Sequence, residues 1–326
     1  MTRGRTADDA EPPAPLTEPA GVATTPGAVA AAAQLACLLE VSAAKPGNVS
    51  PAHHFANARY EDFLASSVAI GPPMAAAGDR SLGATVRAGV EAVTAWARSN
   101  TNLGIVLLLA PIARAALVHP RARTPLHAPL HASLREAVRA VLTATTVDDA
   151  RDVYAAIRLA APGGLGRAAA EDVEQDPTVT LGAAMGLAAE RDGVAREYST
   201  AFAATFETGV PALERARGDG LGWDDAVVEA FLTLLAAAPD THVARRAGVG
   251  IAAEVSRGAR DVLAAGGVRS RTGRRALAAF DAELRDPRNL RNPGTTADIT
   301  AAAIFVVLVD GGWHLPTDGG VHAESR

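Results

Sequence analysis

Five short polar strings hold the residues of this chain whose types and spacing could do chemistry. The first is Lys45, Pro46, Gly47 and Asn48, and the second is Asn100, Thr101 and Asn102. The third is glycine-rich, Pro162-Gly163-Gly164-Leu165-Gly166, and runs into the acids Glu171, Asp172, Glu174 and Asp176. The fourth is Asp240, Thr241 and His242 with Arg245 and Arg246, and the fifth runs from Asn292 through Pro293 and Gly294 to Asp298. Each sits where one apolar stretch gives way to the next. Amides, guanidinium groups, an imidazole and carboxylates placed at helix ends are suited to holding a phosphorylated ligand.

Each string also has a structural reading. Lys45 favours the negative end of a helix that Pro46 and Gly47 stop, while the same lysine and Asn48 flank a glycine whose bare backbone can approach a phosphate. Asn100 or Asn102 serves as an N-cap, and Thr101 between them adds a hydroxyl at the same helix start, which suits an anion or a sugar hydroxyl. Gly164 sits in a loop that resembles a phosphate cradle without the Lys-Ser/Thr ending of a Walker sequence. The acids after it, Asp172 and Asp176 foremost, could hold Mg²⁺ with help from substrate phosphates. Asp240 is a good N-cap. It also stands within one helical turn of His242, Arg245 and Arg246, a set that can orient a hydroxyl, move a proton and bind phosphate. Thr295 and Asp298 fit a capping box. His53 and His54 are adjacent and lack a third ligand nearby, so a metal there is not expected.

The elements that must position these residues are helices. Apolar stretches of good helix formers cover 27–44, 60–70, 82–97 and the segment after Asn102, with a kink or restart expected at Pro111. Gly71, Pro72 and Pro73 are expected to stop the second, and 119–131 to form an exposed connection. Further helices are expected over 134–143, 147–160, 180–191, 194–208, 223–237, 242–265, 274–284 and 298–309. No run alternates in the way a strand ladder requires. The fold class is therefore all-α: a disordered leader over 1–24, one helical catalytic domain over 25–315 and a flexible tail over 316–326.

Composition narrows the function classes. Aromatic residues make up only 4%, so close-packed Ala, Leu and Val must build the core. With 31 basic and 36 acidic side chains the net charge is -5, and no basic footprint for nucleic acid is expected. The single cysteine, Cys37, reads as a small buried hydrophobe. The apolar run over 103–118 is shorter than the roughly 20 residues that span a bilayer. A cytoplasmic protein without membrane partners is the expectation, with homo-oligomerisation left open.

In their order along the chain the strings resemble the triphosphoribosyl-dephospho-CoA synthase family, over roughly residues 30–310. The likeness lies in Lys45-Pro46-Gly47, in Asn100-Thr101-Asn102-Leu103-Gly104 beside the family's Asn-Thr-His-Lys-Gly, and in Asp240-Thr241-His242 followed by Arg245 and Gly248. Two departures stand out: Pro51-Ala52-His53-His54-Phe55 lacks the family's Asp, and Leu103 replaces its lysine. The resemblance implies a divergent branch of transferase that moves the 5-triphosphoribosyl group of ATP to a hydroxyl of 3'-dephospho-CoA or a related acceptor and releases adenine. It implies that Lys45, Arg245 and Asp172 hold Mg²⁺ and the triphosphate, that Asp240 or His242 is the base, and that Asn100 and Asn102 orient adenine and ribose. Another nucleotide-dependent glycosyl or phosphoryl transferase, or a helical protein that binds a nucleotide or coenzyme without turnover, stays open.

Overall fold

The computed structural model describes residues 25–97, 101–119, 131–163, 166–168 and 170–313. Helices α1 (Pro26–Ser42), α2 (Tyr60–Ala69), α3 (Gly71–Ala75), α4 (Leu82–Thr94) and α5 (Leu103–Val118) build the first part. Next come α6 (Ala132–Thr143), α7 (Val147–Ala160), α8 (Leu181–Ala188), α9 (Gly193–Ser199) and α10 (Val210–Gly218). The last are α11 (Trp223–Ala237), α12 (Thr241–Ala247), α13 (Val249–Ala264), α14 (Arg271–Leu284) and α15 (Gly294–Val309). There is no strand among the described residues, and the all-α expectation holds.

Two helices are apolar on every side, the mark of a core helix rather than a surface one. In α15 the residues from Ile299 to Val309 are buried, and α1, α5, α10 and α11 pack around it. In α5 the buried run passes through Pro111 without a break, so the expected restart there does not occur. No single helix among the described residues is long and apolar enough to cross a membrane. The N-terminal parts of the two core helices meet, Gly104 of α5 against Asp298 of α15, and the second and fifth polar strings lead into them.

Three boundaries differ from the sequence reading for local reasons. Gly71, Pro72 and Pro73 do not merely end α2; they open α3, where the prolines sit in the first turn and their missing N–H groups are not needed. The stretch 194–208 breaks after Ser199, because Ala201 and Phe202 adopt φ of 48° and 60° before a π-helical turn over Ala204–Gly209. The buried Glu197 carboxylate holds that turn by accepting Ala204 N–H at 2.9 Å and Thr205 N–H at 2.8 Å. The stretch 242–265 divides at Gly248, whose φ of 97° no side-chain-bearing residue adopts readily. The expected leader and tail, and most of the connection 119–131, lie outside the described residues. His131 is described and is mostly buried, bonded to Glu214 and Asp310.

Candidate active site

Helix starts and ends meet around a cavity of about 1180 Å³. Every one of the five strings contributes to its wall: Asn48 from the first, Thr101 from the second, Gly163 and Asp172 from the third. His242, Arg245 and Arg246 come from the fourth, and Asn292 and Asp298 from the fifth. Residues some 250 positions apart in sequence therefore face one volume.

The fourth and fifth strings are tied together by a carboxylate. Asp240 caps its own helix, with Oδ1 accepting Val243 N–H at 2.9 Å. Its Oδ2 reaches across to α15 and accepts both Thr296 N–H and Thr296 Oγ1–H at 2.7 Å. One buried acid thus serves the N-termini of two helices, which satisfies N–H groups that would otherwise be orphaned. Thr241 extends the knot, donating to Thr295 Oγ1 at 3.1 Å and accepting Gly193 N–H at 2.9 Å. Gly193 permits this approach, since a Cβ there would lie 2.7 Å from the Thr295 methyl. Asp240 is engaged in these bonds and does not line the cavity, unlike His242, the other residue the resemblance implied as base.

The rest of α12 faces the cavity. Burial, reinforced by Arg245 and Arg246, lowers the His242 imidazole from 6.5 to about 4, so it is neutral at physiological pH. Its ring nitrogens lie 3.4 Å from Arg245 Nη2 and from Arg246 Nη1. Arg245 pairs with Asp192 at 3.1 Å, and its buried Nε has no hydrogen-bond partner among the described residues. Arg246 donates to the carbonyls of Asn289 and Arg288 at 2.9 and 2.7 Å, pinning the loop before α15.

Asp298 is the residue sequence reasoning missed. A capping box would have used its carboxylate on Thr295, yet α15 begins at Gly294 with no side-chain cap of its own. Asp240 has taken over the capping, and Asp298 is left facing the cavity with no hydrogen-bond donor from the described residues. Burial, then the like charges of Glu40, Asp240 and Asp192, raise its carboxyl well above the ordinary 3.8, and Arg245 opposes them. The carboxylate presses on the first turn of α5: a Cβ on Gly104 would stand 2.0 Å from Asp298 Oδ2. A backbone without a side chain is required at that contact. The signal that could have found it is Gly104 itself, a glycine in the first turn of an apolar helix, together with Pro293 and Gly294 where a Thr cap needs an ordinary extended residue.

The remaining expected residues divide by their surroundings. Lys45 is wholly buried, within 3.0 Å of Glu40 Oε1 and bonded to the carbonyls of Glu40 and Ala43. Glu40 lines the cavity, whereas Lys45 stands behind it. Asn48 lines the cavity and donates to Pro46 O at 3.2 Å. Thr101 shares a 2.6 Å hydrogen bond with Ser66. Asn102 occupies the N-cap position of α5 without capping it, and its buried amide has no hydrogen-bond partner among the described residues. Its neighbours Thr101 and Leu103 line the wall, though Asn102 itself does not. Asp172 lines the wall with its oxygens accepting Ala168 N–H at 2.7 Å and Glu174 N–H at 3.0 Å, bonds that hold its carboxyl below the usual range. Asp176 is exposed and away from the cavity, so the two expected metal-binding acids are not brought together there. Asn100 and Gly164 lie outside the described residues.

An all-helical protein whose helix N-termini surround one large cavity, with arginines and carboxylates interleaved on its wall, is a class suited to a polyanionic ligand. The family model described as ATP:dephospho-CoA triphosphoribosyl transferase matches residues 26–317, and the chain belongs to that family. It is similar to the "Probable 2-(5''-triphosphoribosyl)-3'-dephosphocoenzyme-A synthase" of Pseudomonas aeruginosa, 38% identical over 146 residues, 42% of this chain and 49% of that protein. The Stutzerimonas stutzeri protein of the same description is 37% identical over 114 residues, 35% of this chain and 39% of that one. The match thus spans half the length or less of these relatives. A solved structure from Archaeoglobus fulgidus, described as a "putative triphosphoribosyl-dephospho-coA synthase", superposes with a TM-score of 0.57 and 26% identity. It covers 77% of this chain and 100% of its own.

Proposed function

We propose that this protein transfers the 5-triphosphoribosyl group of ATP to a hydroxyl of 3'-dephospho-CoA, or of a closely related acceptor, with release of adenine. The observation that carries this reading is the convergence of all five strings on one cavity in a chain of this family, with a carboxylate at its wall, Asp298, that has no hydrogen-bond donor among the described residues. In the reaction the acceptor O–H gives its proton to a base as its oxygen bonds to ribose C1. The C1–N9 bond breaks, and adenine leaves with that electron pair and is protonated from solvent.

Asp298 is our choice of base, because a carboxyl held above its ordinary range is a better proton acceptor near neutral pH. Asp240 acts by fixing the N-termini of α12 and α15, and so the places of His242 and Asp298. Arg245 and Arg246, on the cavity wall, face the triphosphate. Neutral His242 orients the ribose by hydrogen bonding rather than by charge. Positive charge developing at C1 is stabilised by the carboxylates around Asp298, namely Glu40 and Asp192. Lys45 contributes as the counter-ion of Glu40.

The acids also fit Mg²⁺ in the form that accompanies a nucleotide. No three His, Cys, Asp or Glu side chains form a metal cage among the described residues. Mg²⁺ is usually held by one or two carboxylates and substrate phosphates, and Asp172, kept ionised at the wall by two N–H donors, supplies such a carboxylate. Bound there, the ion would neutralise triphosphate charge. We also read the enzyme as cytoplasmic. The test is incubation with ATP, Mg²⁺ and dephospho-CoA with chromatographic detection of free adenine. Formation of ADP or AMP in place of adenine overturns the reading.

A further inference from the structure

Four arginines of the described residues line the cavity, and they are held in two different ways. Arg245 pairs with Asp192 at 3.1 Å, and Arg246 spends its guanidinium on the carbonyls of Asn289 and Arg288. The other two are Arg191 and Arg288. Both are exposed, and neither guanidinium makes a hydrogen bond or ion pair among the described residues. Nothing in their local sequence marks them: one lies between α8 and α9, the other in the turn before α15.

The backbones that carry them are nonetheless fixed. Arg191 N–H donates to Ala188 O at 3.0 Å, and the next residue, Asp192, caps α9 by accepting Ala195 N–H at 3.0 Å. Arg288 N–H donates to Asp286 Oδ1 at 2.9 Å, and its carbonyl accepts a bond from Arg246 Nη2 at 2.7 Å. The same contacts order the four arginines along the wall. Arg191 adjoins Asp192, the partner of Arg245. Arg245 and Arg246 each reach a ring nitrogen of His242 at 3.4 Å, and Arg246 holds the backbone of Arg288. The two uncommitted arginines therefore close the two ends of one chain of contacts, with the committed ones between them. At its end Arg191 lies close enough to Asp172 to join the N–H donors of Glu174 and Ala168, and Arg167, in holding that carboxyl low.

Acidic side chains outnumber the arginines on this wall, so a polyanion is drawn there by the guanidinium groups that are not already neutralised. A free arginine side chain on a fixed backbone can turn to present two parallel N–H groups to a phosphate. We propose that Arg191 and Arg288 are phosphate-binding residues of this cavity, gripping the donor's triphosphate while Arg245 and Arg246 keep the wall between them in shape. The inference rests on the transferase reading given above and adds to it two residues that neither the polar strings nor their spacing brought forward.

Calorimetric titration of ATP and of inorganic triphosphate, each with Mg²⁺, tests this without requiring turnover. The full chain is compared with its R191Q, R288Q and R257Q variants. Arg257 on α13 is also exposed but does not line the cavity, so its loss removes the same charge without touching the site. Circular dichroism verifies that each variant is folded. R191Q and R288Q should each weaken both compounds about tenfold or more, the worth of a hydrogen bond to a charged group, with R257Q within about twofold of wild type. Losses as large in R257Q, or no loss in R191Q or in R288Q, overturn the assignment, as does an unaltered chain that binds neither compound. Arginine-dependent binding of triphosphate without adenine release from ATP would leave the two arginines standing and sink the transfer reading. Adenine release with an ATP KM indifferent to both substitutions would do the reverse.

Discussion

The starts of α7 and α15 carry the same local pattern, a threonine followed three residues later by an aspartate, and they fold differently. At α7 the pattern forms a capping box: Thr146 Oγ1 accepts Asp149 N–H at 3.1 Å, and Asp149 Oδ2 accepts Thr146 N–H at 2.8 Å. At α15 the helix starts two residues early, Thr295 bonds Thr241, and Asp298 faces the cavity with no hydrogen bond from the described residues. The carboxyls respond in opposite directions. Burial would raise Asp149, but N–H donors from Gly83 and Thr146 outweigh it and hold the group below its usual range. Burial and neighbouring carboxylates raise Asp298. One pattern is spent on stability; the other is left over for chemistry because Asp240 has supplied the cap from another helix.

The sharpest way to break this contrast is Asp298→Asn. Adenine release is expected to fall by about 10²–10⁴-fold, the usual contribution of a general base, while urea unfolding shows no loss of stability. A destabilised variant with normal turnover would return Asp298 to a structural role. Asp240→Ala should do something different, removing hydrogen bonds to the starts of two helices at a cost of about 2–4 kcal/mol, read as a lower unfolding midpoint. Its activity should fall as well, because the α12–α15 junction places the cavity groups. For Asp149→Ala the expected loss is about 1–3 kcal/mol with turnover of the folded fraction near wild type. Gly104→Ala pushes a methyl against Asp298 Oδ2 and should lower kcat by about tenfold, as a misplacement of the base implies, with the ATP KM little changed.

The smallest effect concerns pH. A histidine lowered from 6.5 to about 4 by folding stabilises the native state fully above its unfolded pKa, and that contribution is lost as pH falls from 6.5 through 4. His242→Gln should therefore flatten part of the decline in stability across that window, as read by unfolding midpoints at several pH values. Asp298 has the opposite sign, since a raised carboxyl weighs against the native state as pH rises above 3.8. In the pH–rate profile the acid limb should lie above 3.8, where an ordinary aspartate would put it.

Much of the fold was legible because helix length and apolar periodicity are local properties. The expected 147–160 and 223–237 coincide with α7 and α11. Boundaries failed where a tertiary partner replaced a local one: Glu197 clamps the turn that divides 194–208, and Asp240 caps α15 from outside. The candidate site shows the same limit. His242, Arg245 and Arg246 were singled out by sharing one helical turn, and they share one wall. The family resemblance gave Lys45 a place on the triphosphate, whereas its ammonium is buried against Glu40. Nothing in the local sequence distinguishes a lysine that points out of a helix end from one that folds back under it.

By itself the sequence determined that the chain is helical, where its polar interruptions fall and which family it resembles, because these follow from residue type, spacing and order. Only the tertiary structure decided which acid at a helix start is a cap and which is free. That choice depends on whether a donor or acceptor from a distant helix arrives first in space. Asp240 and Asp298 look alike along the chain; one reaches across to a neighbouring helix, and the other is released by that reach to face the cavity.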